Sequence, residues 1–424
     1  MVWWLLLLLA LIFLRVPVAF ALLATSAAYF IMGPGSDAVL LQRMTSGLES
    51  FPLLAVPFFV LAGTAMARGG IAERLISFAE VLVGHHRGGL AQVNVLNSLM
   101  VGGMSGSANA DAAIDSKVLV PVMRRRGYSN GFASALSAAS GVLAPVLPPS
   151  IGLILYGVLA GVSIGDLFIA GIVPALLLAG SLMVVVRYIS GRRGYLPTRE
   201  RRAGLPEVLR TGWHALFALL MPVLLIVGLR IGVFTPTELG ALAAVYALVV
   251  GIFIYKELSW RDIGAVLRES VLTTSVIILI VAGASAFGLL VSYERLPVRL
   301  VDALAVITSN PWIVLLLLNV LLLILGTVME SLSLMVILTP VLAPVAAEVG
   351  IDPLHFGVVL VVNLTVGSIT PPVGTVVYTV CSITECSLGD FTKEFLPLFG
   401  AIVAVLFLIT FVPALVTTLP AWFG

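Results

Sequence analysis

Long apolar segments, broken by glycine and proline more often than by charge, constrain this chain more than any other feature. The stretches 215–229 and 312–325 are typical, because neither alternates with the period of a β-strand. Charged residues make up 10% of the 424 residues, whereas a soluble protein carries about 25%. A bilayer offers the backbone no hydrogen bonds, so the sequence predicts an all-α polytopic membrane protein.

Candidate membrane segments lie between clusters of charge, glycine and proline. They are residues 3–32, 51–67, 90–123, 131–160, 167–186, 213–230, 239–255, 271–292, 312–346, 351–383 and 395–418. A single crossing needs about 20 residues, so several of these segments are too long for one straight helix. The first resembles a signal peptide in its apolar core, but we predict a retained pair of short helices broken at Arg15 and Pro17.

Four of the long segments contain internal interruptions. Segment 90–123 contains GGMSGSANAD and segment 312–346 contains GTVMES, which predicts a re-entrant helical hairpin in each. Segments 131–160 and 351–383 each contain a double proline, in LPPSIG and TPPVG. Proline lacks a backbone donor and clashes with the preceding turn, so these two segments are predicted to be broken helices.

The two halves of the chain resemble each other. One constant shift lays Pro121 on Pro344 and Pro148–Pro149 on Pro371–Pro372, and it superposes the two hairpins. This pattern indicates an internal repeat. The predicted units are a first repeat at 1–186, a cytoplasmic arginine-rich linker at 187–210 and a second repeat at 211–424.

The placement of lysine and arginine predicts that the repeats are inverted. If hairpin 90–123 opens to the cytoplasm, Arg124–Arg126 and the arginines of the linker are all cytoplasmic, as short basic loops prefer. Arg43, Arg295 and Arg299 then lie outside, and hairpin 312–346 opens outward. An inverted repeat with paired broken helices is typical of secondary transporters, which bind substrate and ions where helices unwind.

The interruptions supply groups that bind ions. They span Ser105–Asp111, Ala144–Gly152, Gly326–Glu330 and Gly367–Gly374, and each combines Gly or Pro with Ser, Thr or Asn. A broken helix exposes carbonyls that ligate a cation and amides that attract an anion. The alternative for any single interruption is that small residues merely let helices pack closely.

Acidic residues inside apolar segments are costly and indicate function. Asp111, Asp115 and Glu330 lie at or near the hairpin tips, where a proton relay is one hypothesis. Asp111 could instead cap the returning helix of its hairpin. Glu238 follows Thr235 in FTPTE, which is the signature of a helix N-terminus.

Five segments occur in order along the chain: GSANADAAIDSKVLVPVMRRRGYS, LPPSIGLILYG, DLFIAGIVPALLLAG, GVFTPTELGALAAVYALV and NLTVGSITPPVGTVVY. They resemble the signatures of the large membrane subunit of tripartite ATP-independent periplasmic (TRAP) transporters. The resemblance implies an elevator-type ion transporter superfamily architecture and ion-coupled import of a small organic acid across the bacterial inner membrane. It also implies two partners, a small four-helix membrane subunit as a separate chain and a periplasmic substrate-binding protein.

The resemblance further implies two Na⁺ sites and one substrate site. The first Na⁺ site would be framed by Ser105, Gly106, Ser107, Asn109, Pro148, Pro149 and Ser150. The second would be framed by Gly326, Thr327, Met329, Gly367, Thr370, Pro371 and Pro372. The substrate carboxylate would lie near Asn109, Ser150, Gly152, Thr370 and Thr375. Asp115 and Lys117 depart from the family, which tends to be small and uncharged at these positions.

Other functions stay open on the sequence alone. A stand-alone dicarboxylate or anion symporter or exchanger of related architecture would carry the same broken helices, and a passive channel is a weaker alternative. An intramembrane enzyme with Ser105 or Ser107 as nucleophile needs a base within hydrogen-bond reach, and only His355 and Lys117 are candidates. The sequence does not identify the acid that is carried.

Overall fold

The computed structural model describes residues 3–32, 37–230, 233–308, 310–371 and 373–423, and these ranges are helical throughout except for turns and connections. The helices are α1 (Trp3–Phe13), α2 (Val18–Met32), α3 (Asp37–Leu48), α4 (Ala55–Arg68), α5 (Ile71–Val83), α6 (Gly89–Ser105), α7 (Ala108–Arg125), α8 (Asn130–Ser140), α9 (Ile151–Ala160), α10 (Ile164–Arg193), α11 (Leu205–Arg230), α12 (Pro236–Val249), α13 (Ile263–Tyr293), α14 (Leu296–Ile307), α15 (Pro311–Val328), α16 (Ser331–Glu348), α17 (Pro353–Ser368), α18 (Thr375–Thr384), α19 (Leu388–Phe411) and α20 (Ala414–Phe423). Within these ranges, eight helical stretches are long and apolar enough to cross a membrane. The chain is therefore a polytopic membrane protein, as its composition predicts.

The predicted break near the N-terminus is confirmed. Helix α1 ends at Phe13, Arg15 has a positive φ of 62°, and α2 begins at Val18 directly after Pro17. A left-handed residue cannot continue a right-handed helix, and proline lacks the donor for the next helical hydrogen bond.

Each segment predicted to be a hairpin is a pair of helices that pack against each other. Hairpin 1 consists of α6 and α7, joined by Gly106 and Ser107, and hairpin 2 consists of α15 and α16, joined by Met329 and Glu330. The second interruption is shorter than predicted, because α15 continues through Gly326 and Thr327. Helix α16 then begins at once, since the Glu330 side chain accepts a hydrogen bond from the Ser333 amide at 2.9 Å.

Both predicted broken helices are interrupted at their prolines. Helix α8 leads into a short 3₁₀ turn at Gly141–Leu143, and residues 144–150 separate it from α9. Helix α17 is separated from α18 by residues 369–374, of which Pro372 lies outside the described residues. The double proline at Pro148–Pro149 lies within the first break, and its peptide bond is cis.

Parts of the predicted linker 187–210 are helical. Helix α10 continues to Arg193, and α11 begins at Leu205, so residues 194–204 form the connection. Arg192 and Arg193 carry positive charge in the last turn of α10, where the negative end of the helix dipole stabilises it. Gly194 then ends the helix with φ 69°. The amphipathic stretches predicted at 72–83 and 297–307 are the helices α5 and α14.

The two hairpins and the two broken helices pack into one another. Helix α7 contacts α8 of its own half and α18 of the other half. Helix α16 likewise contacts α17 of its own half and α9 of the other half. Each hairpin therefore lies against both broken helices.

Candidate functional site

The tip of hairpin 1 lies directly against the first broken helix. Gly106 ends α6 in the left-handed conformation, with φ 59°. A Cβ atom on Gly106 would lie 3.0 Å from the carbonyl oxygen of Pro149 and 3.2 Å from the amide nitrogen of Ile151. The structure thus brings Gly106 together with Pro149, as the first predicted Na⁺ site requires.

The hydroxyl groups of this region cap the helices that start there. Ser107 accepts a hydrogen bond from the Ala110 amide at 3.4 Å, and Ser150 accepts one from the Leu153 amide at 3.0 Å. Ser150 also donates to the carbonyl of Pro145 across the break. The side chain of Ser105 lies outside the described residues.

The tip of hairpin 2 meets the second broken helix through glycine. A Cβ atom on Gly367 would lie 2.5 Å from the Cα atom of Gly326, so the two backbones are in contact. Thr327 and Thr370 donate to carbonyls of their own helices, at 2.8 Å to Ile324 and 2.7 Å to Val366. The lone pairs of both hydroxyl oxygens stay available for another ligand.

Two further oxygen atoms at these breaks are buried and accept no hydrogen bond from any described residue. They are Oδ1 of Asn109, the second residue of α7, and Oγ1 of Thr375, at the start of α18. A buried oxygen without a donor is unfavourable unless a cation or another donor satisfies it. Carbonyl, amide and hydroxyl oxygens without thiolate or imidazole suit a hard cation, so these residues fit Na⁺.

A small cleft separates the two hairpin tips. Its walls are formed by Gly106, Ser107, Ala108, Asn109, Pro145, Gly152, Glu330, Ser331, Leu332, Met335 and Thr365. Its free space is about 10 Å³, which is room for about one water molecule. The tips are therefore nearly in contact in this conformation.

The cleft contains only part of the predicted substrate site. Asn109 and Gly152 line it, and Ser150 caps the helix that carries Gly152. Thr370 and Thr375 do not line it. Thr375 begins α18, a helix that packs on α7 and α8.

Sequence reasoning did not assign Glu330, Ser331, Met335 and Thr365 to the substrate region. Glu330 and Ser331 begin α16, Met335 lies one turn further, and Thr365 belongs to α17. Glu330 three residues before Ser333 is a helix-capping signal that was present in the sequence. No local signal indicates that this N-terminus faces hairpin 1.

Three helix N-termini meet at the cleft. They belong to α7 after Ser107, α9 after Ser150 and α16 after Glu330. The first amides of a helix lack intrahelical acceptors and carry partial positive charge. Side-chain caps from Ser107, Ser150 and Glu330 already satisfy one amide of each helix, so an anionic group in the cleft would be stabilised by the remaining amides.

A larger cavity of about 500 Å³ lies further along α16. Ser331 and Met335 line the cleft, whereas Thr339, one turn further along the helix, lines the cavity. The opposite walls are formed by α3 and α13, which contribute Arg43 and Ser285. The volume lies in the range of small-molecule sites, and the lining mixes polar and apolar residues.

The two candidate bases, His355 and Lys117, both lie outside the lining of the cleft. The imidazole Nε2 of His355 lies 2.8 Å from the carbonyl oxygen of Ile409, and His355 does not line the cleft. Lys117 is exposed on α7.

Residues 5–415 match the model of the tripartite ATP-independent periplasmic transporter, DctM component. The chain belongs to this family. Membership confirms the resemblance seen in the five signature segments, and it makes the chain a TRAP large permease and not an enzyme.

Related sequences align with this TRAP permease over nearly its whole length. The large permease protein of a sialic acid TRAP transporter from Vibrio cholerae is 42% identical over 418 residues, which is 98% of this chain and 97% of that one. The large permease protein of a 2,3-diketo-L-gulonate TRAP transporter from Escherichia coli is 38% identical and covers 96% and 95% of the two chains.

The fold also resembles a solved structure. The crystal structure of the YdaH transporter from Alcanivorax borkumensis matches with a TM-score of 0.68, covering 95% of this chain and 98% of that one. The two sequences are 15% identical, so the similarity between the two proteins concerns their fold alone.

Proposed function

We propose that this TRAP permease imports a small organic acid anion together with Na⁺ across the bacterial inner membrane. The observation that carries the proposal is the meeting of three helix N-termini at one cleft between the hairpin tips. Such a cleft attracts a carboxylate, and the oxygen atoms beside it attract a hard cation. Opposite charges bound close together stabilise each other, which couples the anion to the ion.

Within the proposal, the two hairpin tips supply the two Na⁺ sites. Asn109 and Ser107, with carbonyls beside Pro149, would hold the first ion. Thr370 and Thr375, with carbonyls released by the second break, would hold the other. The bound ions would supply positive charge near the substrate carboxylate, and the backbone amides of α7, α9 and α16 would orient it.

In the same proposal, the hairpins and the broken helices move together as one unit during transport. The close backbone contacts at Gly106 and Gly367 support it, because they leave no room for the tips to slide on the broken helices. The cavity between α16 and the pair α3 and α13 lies at the border of that unit. An elevator movement along this border would carry the cleft across the membrane.

The proposal includes two protein partners. A small four-helix membrane subunit, as a separate chain, and a periplasmic substrate-binding protein would form the complete transporter. The relatives are named for sialic acid and for 2,3-diketo-L-gulonate, both of them organic acids. We therefore propose a substrate of this class, delivered by the binding protein.

Removing a hydroxyl at either tip should weaken Na⁺ binding. We expect Ser107→Ala and Thr370→Ala each to raise the Na⁺ concentration for half-maximal uptake by about tenfold. The reason is that each variant loses one oxygen ligand, which weakens binding by about 1–2 kcal/mol. Uptake of sialic acid by proteoliposomes containing the complete transporter measures this. Ser129→Ala and Thr392→Ala are matched controls, since Ser129 caps α8 and Thr392 donates to a carbonyl of its own helix away from the cleft. Unchanged Na⁺ dependence in both tip variants would contradict the assignment of Na⁺ sites to the hairpin tips.

The inverted topology can be tested by labelling. The free thiols Cys381 and Cys386 are first replaced by serine. We then expect single cysteines in Arg199→Cys and Arg299→Cys to react with an impermeant reagent from opposite sides of the membrane, since Arg199 lies in the connection between the halves. Reaction of both from the same side would contradict the inverted repeat.

A further inference from the structure

Two adjacent histidines lie beside the last turns of α10, in the turn that joins α5 to α6. The ring centroids of His85 and His86 are 4.0 Å apart. Nε of Arg202 donates to Nε2 of His85 at 3.2 Å, and Nη1 of Arg187 lies 3.3 Å from Nδ1 of His86. Three segments that are far apart in sequence therefore place two guanidinium groups on one pair of imidazole rings. We call these four side chains the basic patch.

The hydrogen bonds of the basic patch determine where the imidazole hydrogens lie. A guanidinium group has donors and no acceptor, so the ring nitrogens that face Arg202 and Arg187 must be acceptors without a hydrogen. Burial and the charge of Arg202 lower the pKa of His85. Burial, the neighbouring His85 and the two arginines lower the pKa of His86. Both rings are therefore neutral at physiological pH, with their hydrogens on Nδ1 of His85 and Nε2 of His86.

The basic patch contains more donors than acceptors. Nδ1 of His85 is buried, and no described residue accepts its hydrogen. Neither Arg187 nor Arg202 forms an ion pair with an acidic side chain in the described part of the chain. Glu207, in the first turn of α11, pairs with Arg199 instead. Two cations and a buried donor without an acceptor are unfavourable unless an anion satisfies them.

The basic patch lies at the level where the apolar surface of the molecule ends. The apolar span of α10 ends at Arg193, and Tyr188 in its last two turns is exposed. Helix α11 exposes Leu205, Leu209 and Trp213, which lie four residues apart on one face. Exposed tyrosine and tryptophan beside apolar residues are typical of the headgroup region of a bilayer. Lipid phosphates are therefore the anions closest to the patch in a membrane.

We propose that the basic patch binds the phosphate group of an anionic phospholipid at the membrane surface. Arg187 and Arg202 supply the positive charge, and Nδ1 of His85 supplies the donor that has no acceptor among the described residues. Guanidinium groups suit phosphate because their paired donors match two of its oxygens. The backbone positions Arg202 for this role, since the Thr198 amide donates to the Gly84 carbonyl at 2.8 Å. The bound lipid would hold the connection between the two halves of the chain against α10.

Lipid binding to the purified complete transporter tests this site. Native mass spectrometry counts the bound molecules of dioctanoyl-phosphatidylglycerol, a short-chain anionic phospholipid, as its concentration is raised, and this gives its dissociation constant. The double variant Arg187→Gln/Arg202→Gln removes both charges, and both side chains are exposed, so its melting temperature should stay close to that of the wild-type protein. We expect the dissociation constant of the tightest-bound lipid to rise about tenfold or more, because charge-assisted hydrogen bonds to the phosphate are lost.

The matched control is the double variant Arg124→Gln/Arg125→Gln. These two arginines are also exposed, lie in the last turn of α7 and form no ion pair within the described ranges. The control removes the same charge away from the basic patch, so it is expected to bind the lipid as the wild-type protein does. An equal loss of affinity in both double variants, or no loss in Arg187→Gln/Arg202→Gln, would overturn the proposal.

The variant His85→Phe tests the buried donor. Phenylalanine keeps an aromatic ring against His86 and removes both ring nitrogens, so we expect the dissociation constant to rise about threefold or more. An unchanged dissociation constant would contradict the role of Nδ1.

Two further outcomes would assign the basic patch to a different occupant. Displacement of the bound lipid by an equimolar amount of inorganic phosphate would indicate free phosphate and contradict a lipid site. Loss of the small membrane subunit from Arg187→Gln/Arg202→Gln, seen in the same mass spectra, would indicate an acidic segment of that partner and would also contradict it. None of these measurements requires Na⁺ or transport, so the result for the lipid site is independent of the proposed Na⁺-coupled import.

Discussion

The variant Gly367→Ala is expected to lower Na⁺-dependent uptake about tenfold or more, because it forces overpacking of about 1–3 kcal/mol at a contact between two backbones. A Cβ atom at this position would lie 2.5 Å from the Cα atom and 2.8 Å from the carbonyl carbon of Gly326. Backbone atoms cannot rotate away as a side chain can. The first arm of hairpin 2 must therefore move off the broken helix, and the second proposed Na⁺ site opens.

The matched control for this variant is Gly400→Ala. Gly400 lies inside α19, and a Cβ atom there would meet no atom within 4 Å. Alanine favours the helix by about 1 kcal/mol over glycine, so this variant should transport normally and melt at the same temperature or higher. Both variants are compared for expression, melting temperature and uptake in proteoliposomes. Normal uptake by Gly367→Ala would show that the close contact of hairpin 2 with α17 is not needed.

The second large effect is expected for Gly106→Ala at the tip of hairpin 1. The residue has a φ of 59°, and an added Cβ would lie 3.0 Å from the Pro149 carbonyl oxygen, which is tighter than ordinary contact. The strain and the contact both act on the turn that places Ser107 and Asn109. We expect a rise of at least about tenfold in the Na⁺ concentration for half-maximal uptake, from strain of about 1–2 kcal/mol together with the displaced carbonyl.

The variant Gly161→Ala separates these two causes. Gly161 has a φ of 69°, but a Cβ atom there would meet nothing within 4 Å. This control therefore carries the backbone strain of about 1–2 kcal/mol without the contact against the first broken helix. We expect Gly161→Ala to be less stable and to keep its Na⁺ dependence. Equal Na⁺ dependence in Gly106→Ala and the wild-type protein would contradict the placement of an ion site at this tip.

The interruptions could be predicted because glycine and proline act locally. Pro17 and the double proline at Pro148–Pro149 each lie at or beside a helix break, since proline cannot continue the hydrogen-bond pattern before it. Thr235 and Glu238 form the predicted helix cap, with both hydrogen bonds present. Such signals depend only on residues a few positions apart.

The composition of the cleft could not be predicted in the same way, because it depends on which helix ends meet in space. Thr370 lies in the second break, as predicted, but it does not line the cleft, whereas Met335 and Thr365 do. The prediction that Asp111 caps α7 was wrong, because Ser107 occupies the cap and leaves Asp111 buried inside the hairpin. Each of these features depends on how helices that are far apart in sequence pack against each other.

We propose that the cleft between the hairpin tips couples the import of an organic acid to Na⁺. The most direct measurement is uptake of sialic acid, 2,3-diketo-L-gulonate and a C4-dicarboxylate by proteoliposomes that contain the complete transporter, with its periplasmic binding protein outside. An inward Na⁺ gradient is imposed in one set and an inward proton gradient without Na⁺ in another. We predict that at least one of these acids accumulates only with the Na⁺ gradient and the binding protein, and that Gly367→Ala lowers this accumulation about tenfold or more. If the acids accumulate equally well without Na⁺, or without the binding protein, the proposed Na⁺-coupled import is contradicted.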